Sequence, residues 1–329
     1  MTSIMRGPRT AKPIARLFAL ASLAVLTGVS ATSTDGRLLA TEPVTLTEAD
    51  ILRLERFDPA ARQILDQVRL EAITYQSDGL EVRGYLARPR EAGVYPCVIY
   101  NRGGNRSFGA IGDLEAVLAL GSIAGRGYVV VASQYRGHTG TPGRDEFGGA
   151  DVNDVLNLIP LLDELPGADA SRIGMVGWSR GGMMTYLALT RTDRIAAAVV
   201  GSGAADLASS ARERPELERV FAELIPHYPE AGDRELDARS AVHWPERLHK
   251  QTPILVLQGS ADWRVDPRQT LVLAEKLYSA RHPFRLVFFE GGDHGLSEYR
   301  GEVRQLVGDW LARYVRMGER WPSLEPHGG

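Results

Sequence analysis

From Pro96 onward the chain settles into one rhythm, in which short apolar, β-branched runs alternate with segments of helix length. Residues 97–100 precede 113–126, residues 128–133 precede 151–165, and residues 173–177 precede 181–191. A run at 196–200 follows, and two more pairs come later, 254–258 with 267–280 and 285–289 with 297–315. Near-continuous apolar strands separated by helices bury both faces only in a parallel sheet with helices packed on each side. Ahead of this region, residues 68–75 and 80–87 alternate in polarity around Ser77-Asp78-Gly79, the pattern of an antiparallel hairpin. Together they predict a mixed, mostly parallel α/β sheet. The rhythm breaks over 204–251, which is too polar and too punctuated by proline for one βα unit. That stretch is read as a helical insertion able to roof a pocket.

Composition narrows the function classes. A chain of 329 residues, 44% hydrophobic and 24% charged, is long enough for one large core or two modest ones. Its formal net charge of −3 offers no basic surface of the kind nucleic acid needs. Cys97, the single cysteine, sits in the apolar run 94–100 and reads as a small buried hydrophobe, with no partner for an internal disulfide. No CxxC or HExxH spacing occurs and the seven histidines are scattered, so neither a metal nor another cofactor is expected.

The N-terminal residues carry a targeting pattern. Arg6, Arg9, Lys12 and Arg16 precede an apolar stretch from Leu17 to Val29, small residues follow at Val29-Ser30-Ala31, and no acidic residue comes before Asp35. A basic head, a short apolar core and a small-residue site make a secretory signal peptide, and the core falls short of the roughly 20 residues a membrane span needs. Cleavage near Ala31 removes four positive charges and no negative ones, which leaves the mature chain at −7. Further on, Thr47 with Asp50 three residues later reads as a helix N-cap.

The chemistry is expected at three strand ends. Gly177-Trp178-Ser179-Arg180-Gly181-Gly182 follows one apolar run and opens a helix-length segment. A nucleophile on a tight strand-to-helix turn needs small neighbours, and the turn lifts Ser179 Oγ clear of the sheet. It also puts the Arg180 N–H at a helix N-terminus, where it can donate to an oxyanion. Asp262 follows the run 254–258, and His294 follows 285–289 inside Gly291-Gly-Asp-His-Gly295. The order Ser, Asp, His, each beyond a parallel strand, is that of the α/β-hydrolase arrangement. Asn101-Arg102-Gly103-Gly104-Asn105 follows the first parallel strand, where paired glycines let backbone N–H groups of Arg102, Gly103 and Gly104 approach an oxyanion. Trp178 and Trp263, flanking the serine and the aspartate, are candidate substrate contacts.

These motifs resemble the catalytic domain of the prolyl oligopeptidase family of serine peptidases. The resemblance runs from about Leu80 to Val315 and rests on the Ser179 hexapeptide, Gln134-Tyr-Arg-Gly137, Gly259-Ser-Ala-Asp-Trp-Arg-Val265 and Gly292-Asp-His-Gly295. Asp262 and His294 lie 83 and 115 residues after Ser179, similar to the family's spacing, and Glu146 to Asp154 resembles its segment before the nucleophile strand. The resemblance implies an α/β-hydrolase fold and a Ser179–Asp262–His294 triad working through an acyl-enzyme. Two departures stand out. Where many relatives carry an oxyanion tyrosine this chain has Arg102, and residues 32–95 are too few for the β-propeller of the large members, whose blades take about 40 residues each.

The expected organisation is a signal peptide over 1–31, a helical lead-in over 32–67, an α/β-hydrolase catalytic domain over 68–321 containing the 204–251 insertion, and a flexible tail over 322–329. The expected function is an exported, periplasmic or extracellular serine hydrolase, foremost a peptidase of short peptides or aminoacyl derivatives. A carboxylesterase using the same triad is the alternative, and a non-catalytic binding protein on a hydrolase scaffold is a third. The expected partner is a small peptide or ester, with no nucleic acid and no stable membrane insertion after cleavage.

Overall fold

The structure is a computed structural model and describes residues 1–2, 7, 34–138 and 140–327. The expected signal segment falls outside the described residues, apart from positions 1, 2 and 7. The described residues form one sheet of nine strands. These are β1 (Leu38–Pro43), β2 (Val68–Ser77), β3 (Leu80–Pro89), β4 (Tyr95–Asn101) and β5 (Val129–Ser133), then β6 (Ala168–Trp178), β7 (Ile195–Gly201), β8 (Ile254–Gly259) and β9 (Phe284–Phe289). Their spatial order is β1-β2-β3-β5-β4-β6-β7-β8-β9. The pairs up to β3–β5 are antiparallel, and every pair from β5–β4 to β8–β9 is parallel.

Alternation along the parallel strands fills two cores. On β4, Cys97 and Ile99 enter one cluster while Val98 enters the other. On β8, Ile254 and Val256 face the first cluster, and Leu255 and Leu257 the second. A period of two with apolar residues on both sides is what a sheet sandwiched by helices requires. The β2–β3 hairpin closes through Asp78 and Gly79, at φ 49° and 78°, the paired positive angles of a tight hairpin turn.

The lead-in departs from the all-helical expectation. It contains the helices Glu48–Phe57 and Ala61–Gln67, the first capped by Thr47 and Asp50 in a reciprocal box. It begins, however, as β1, paired antiparallel with β2. All of β1 except Leu38 is exposed, so this edge strand has no apolar alternation to announce it. At the other end, Leu324 and Pro326 of the expected tail line a cavity with Tyr278 and Phe284, and Glu325 pairs with Arg281.

Strand order sets the place of the site. The connection from β4 leads to β5 on one side, and the chain then crosses to β6 on the other. In open α/β sheets such a reversal leaves a crevice beyond the carboxyl ends of the two central strands. Here those ends are Asn101 and Trp178, directly before the glycine-rich loop and Ser179.

Candidate active site

Ser179 joins β6 to the helix Arg180–Leu189 with φ 58° and ψ −124°, a conformation that costs a residue with a side chain about 1–3 kcal/mol. Its surroundings hold it there. The Ser179 N–H donates to the Gly201 carbonyl at 2.9 Å, and the Ser179 carbonyl accepts from Gly182 N–H at 2.9 Å. A side chain at Gly181 would place its Cβ 1.9 Å from the Asn101 carbonyl oxygen, so only glycine lets this helix start against β4. All ten residues of the helix are buried.

The acid and base are joined on the neighbouring strand ends. His294 Nδ1 lies 2.8 Å from Asp262 Oδ2 and 3.0 Å from Oδ1. A carboxylate at Nδ1 fixes the proton there and leaves Nε2 to act as the base. Asp262 is 5% exposed and also accepts from the Arg264 and Val265 N–H groups at 2.8 and 3.0 Å and from Gln258 at 3.1 Å. Burial pushes its carboxyl up, but His294 and these donors outweigh that and hold it below the usual carboxylate range. The indole N–H of Trp178 donates to the His294 carbonyl at 2.8 Å, tying the base's loop to the residue before the serine.

Ser179 and His294 line one cavity of about 410 Å³. Gly103 and Gly104 form part of its wall, and a Cβ on Gly103 would stand 3.2 Å from Ser179 Cβ. The Arg180 N–H opens the helix at the same wall, as an oxyanion donor must. Arg102 does not line the cavity, which corrects the expectation at that position. Its buried guanidinium donates to the carbonyls of Gln134, Gly103, Arg106 and Phe108 and braces the loop from behind. Burial lowers its pKa to about 10, which leaves it charged at neutral pH. The tyrosine that reaches the cavity is Tyr100, two residues earlier. Burial raises its pKa to about 12, so its hydroxyl stays protonated and able to donate.

Of the two tryptophans, Trp178 lines the cavity and Trp263 does not. Trp263 stands 67% exposed at the rim, with the guanidinium groups of Arg264 and Arg214 over its ring at 4.9 and 5.3 Å. The helical stretch 204–251 supplies the facing wall through Leu207, Ser210, Arg214, Leu217 and Phe221.

The sequence reading assigned Arg180 only its backbone, yet its side chain organises the site. The guanidinium, 3% exposed, pairs with Asp145 at 2.7 and 2.8 Å and with Asp151, and donates to the Gly104 carbonyl at 3.0 Å. It lies over the rings of Phe147 and Tyr135 at 4.6 and 5.4 Å, and Arg102 shares the Tyr135 ring at 4.9 Å. Burial pushes the Asp145 carboxyl up, and the charge of Arg180 overrides it and holds the pKa low. One group thus links the nucleophile's helix, the glycine loop and two acids from 35 and 29 residues upstream. Asp145 directly precedes the 146–154 stretch noted in the sequence and Asp151 lies within it, which is the available signal.

This geometry suits acyl transfer, with a strained serine, an oriented imidazole and backbone donors around one cavity. Comparison with known proteins agrees with it. The model of the prolyl oligopeptidase family matches residues 117–318. The uncharacterized peptidase YtmA of Bacillus subtilis is 32% identical over 247 residues, covering 74% of this chain and 93% of that protein. Probable dipeptidyl-aminopeptidase B of Aspergillus niger is 25% identical over 87% of this chain, but only 33% of its own length is matched. Among solved structures, a puromycin-hydrolyzing peptidase of Mycobacterium tuberculosis superimposes with a TM-score of 0.63 and 27% identity, over 74% of this chain and 39% of its own. The acylaminoacyl peptidase of Pyrococcus horikoshii gives 0.66 at 22% identity, over 78% and 44%. The chain therefore spans nearly all of YtmA and less than half of the other three. With an α/β-hydrolase sheet, a serine at its central switch point and these relatives, the chain belongs to the prolyl oligopeptidase family of serine peptidases.

Proposed function

We propose that the chain is an exported serine peptidase that cleaves short peptides or aminoacyl derivatives through Ser179, Asp262 and His294. The observation that carries the reading is the Asp262–His294 pair at 2.8 Å, whose histidine lines the same cavity as Ser179. In this mechanism His294 Nε2 takes the serine proton as Oγ attacks the substrate carbonyl, and Asp262 holds the imidazole's tautomer and stabilises its charged form. N–H groups of Arg180 and of the Gly103–Gly104 loop receive the oxyanion. His294 then protonates the leaving nitrogen, and water repeats the cycle on the acyl-enzyme. A cavity of about 410 Å³ suits a substrate of a few residues. Export rests on the four basic residues ahead of the apolar stretch 17–29.

The test uses protein from the periplasmic fraction of an expressing bacterium, sequenced at its N-terminus and treated with a fluorophosphonate probe. The mature chain is expected to start close after Ala31 and to carry the label on Ser179. Ser179→Ala should abolish labelling and lower turnover of puromycin and aminoacyl amides by about 10⁶. Labelling of that variant at full rate sinks the triad. Ester turnover with no amide turnover replaces the peptidase by an esterase, and an unprocessed cytoplasmic chain removes the export reading.

A further inference from the structure

A second cavity, of about 350 Å³, shares Tyr100 and Trp178 with the catalytic one. Its apolar lining is Leu118, Ile123, Val176, Val303, Val307 and Leu311. These residues belong to or pack on the core cluster across the sheet from the one that holds the helix after Ser179. Leu118, Val303 and Val307 are left half-buried there. The π turn at Val117–Gly121 supplies Leu118 and Ala119 to one wall, and a widened turn of this kind is frequent at functional sites. The facing wall is the helix Arg300–Leu311, where Gly308 leaves room for a guanidinium: a Cβ there would stand 2.6 Å from Arg126 Nη1. Glycine inside a helix weakens it, and here it lets Arg126 lie against the helix at the cavity. Arg126, Arg300 and Arg304 all line the space, with no Asp or Glu among the described lining residues. Arg304 is neutralised by Asp58 at 2.7 Å. Neither Arg126 nor Arg300 pairs with a carboxylate among the described residues.

We propose that this cavity is a second ligand site, separate from the catalytic one, and that it binds a free medium-chain carboxylate of about eight to twelve carbons. An apolar cleft with two uncompensated guanidinium groups is complementary to an aliphatic tail that carries an anionic head. The tail lies between the π turn and the helix Arg300–Leu311, and the carboxylate meets Arg126 and Arg300. A ligand there touches Trp178, whose indole N–H donates to the His294 carbonyl at 2.8 Å, and Gly295, the residue after that histidine. Occupancy of the site is therefore readable in tryptophan emission.

Calorimetry and tryptophan emission with decanoate test the site on the parent protein. One molecule should bind per chain with sub-millimolar affinity. Octanoate should bind about tenfold more weakly, since each buried methylene tightens binding about fourfold. Decyltrimethylammonium has the same tail and the opposite charge, and it should not bind. Val307→Phe fills the cleft and should abolish decanoate binding, and Arg126→Gln with Arg300→Gln should weaken it by about tenfold or more. These variants should take the fluorophosphonate label at the parental rate, and decanoate should still bind the labelled protein. No binding of decanoate, equal binding of the ammonium, or parental affinity in the Val307→Phe protein overturns the proposal. Loss of binding on labelling puts decanoate in the catalytic cavity and overturns it too. Binding to anionic phospholipid vesicles that the same variants remove, with none to decanoate, makes this a lipid-headgroup site instead of one for a free carboxylate. A parent protein that takes no label overturns the catalytic reading alone; thermal melting then confirms that the variants are folded, and Val307→Phe decides the second site.

Discussion

On one wall of the cavity Ser179 stands at the start of a helix with all ten residues buried, and Arg180 ties that helix to two buried acids and the glycine loop. On the facing wall the helix Leu207–Glu213 buries three of its seven residues and Glu216–Leu224 two of its nine. Salt bridges there are solvent-facing, such as Arg219–Glu223 with Arg219 86% exposed, and pairs of that kind contribute little. On the proposed reading, the wall that performs the chemistry is fixed by burial and charge compensation, whereas the wall that meets the substrate is held by stacking and short helices. Geometry that must be accurate to a fraction of an ångström needs the first kind of support. Selectivity is compatible with the second.

Breaking the buried wall should therefore cost far more than altering the open one. Asp262→Asn keeps the shape but removes the carboxylate that fixes the His294 tautomer, and kcat should fall about 10⁴-fold in a steady-state assay with a saturating amide. Arg180→Met leaves Asp145 and Asp151 buried without their cation. It should lower unfolding stability by about 3–5 kcal/mol in urea titrations, and a variant as stable as the parent would refute the brace. Gly103→Ala puts a methyl group 3.2 Å from Ser179 Cβ and the Trp178 carbonyl. Its turnover should drop by about 10- to 100-fold with little change in melting temperature, and unchanged kcat would place the oxyanion away from this loop.

Much of this was legible because periodicity reports burial. Both core clusters could be inferred from the apolar runs of β4 to β8, and the serine, aspartate and histidine each stood just past a strand. Edge structure was not legible: β1 buries almost nothing, so its sequence carries no pattern to read. Helix irregularity was also hidden. The segment expected as one helix over 113–126 widens through a π turn at Val117–Gly121, and no glycine or proline interrupts the residues before Gly121 to signal it. Arg102 and Arg180 show the deeper difficulty. A sequence reader expects arginines at the surface, and both are buried because carbonyls and carboxylates from distant segments converge on them. Such convergence is a property of the tertiary fold, and spacing along the chain does not encode it.

The Arg180 side chain also has a consequence for heredity. An oxyanion uses only the backbone N–H of the residue after a nucleophilic serine, which by itself leaves that residue's side chain unconstrained. In this chain it is held by two buried ion pairs. Arginine there commits the gene to acids 35 and 29 residues upstream, and losing any one of the three strands the others in the interior. Replacing one of the three alone is therefore expected to cost stability, whereas replacing all three together leaves no unpaired charge in the interior.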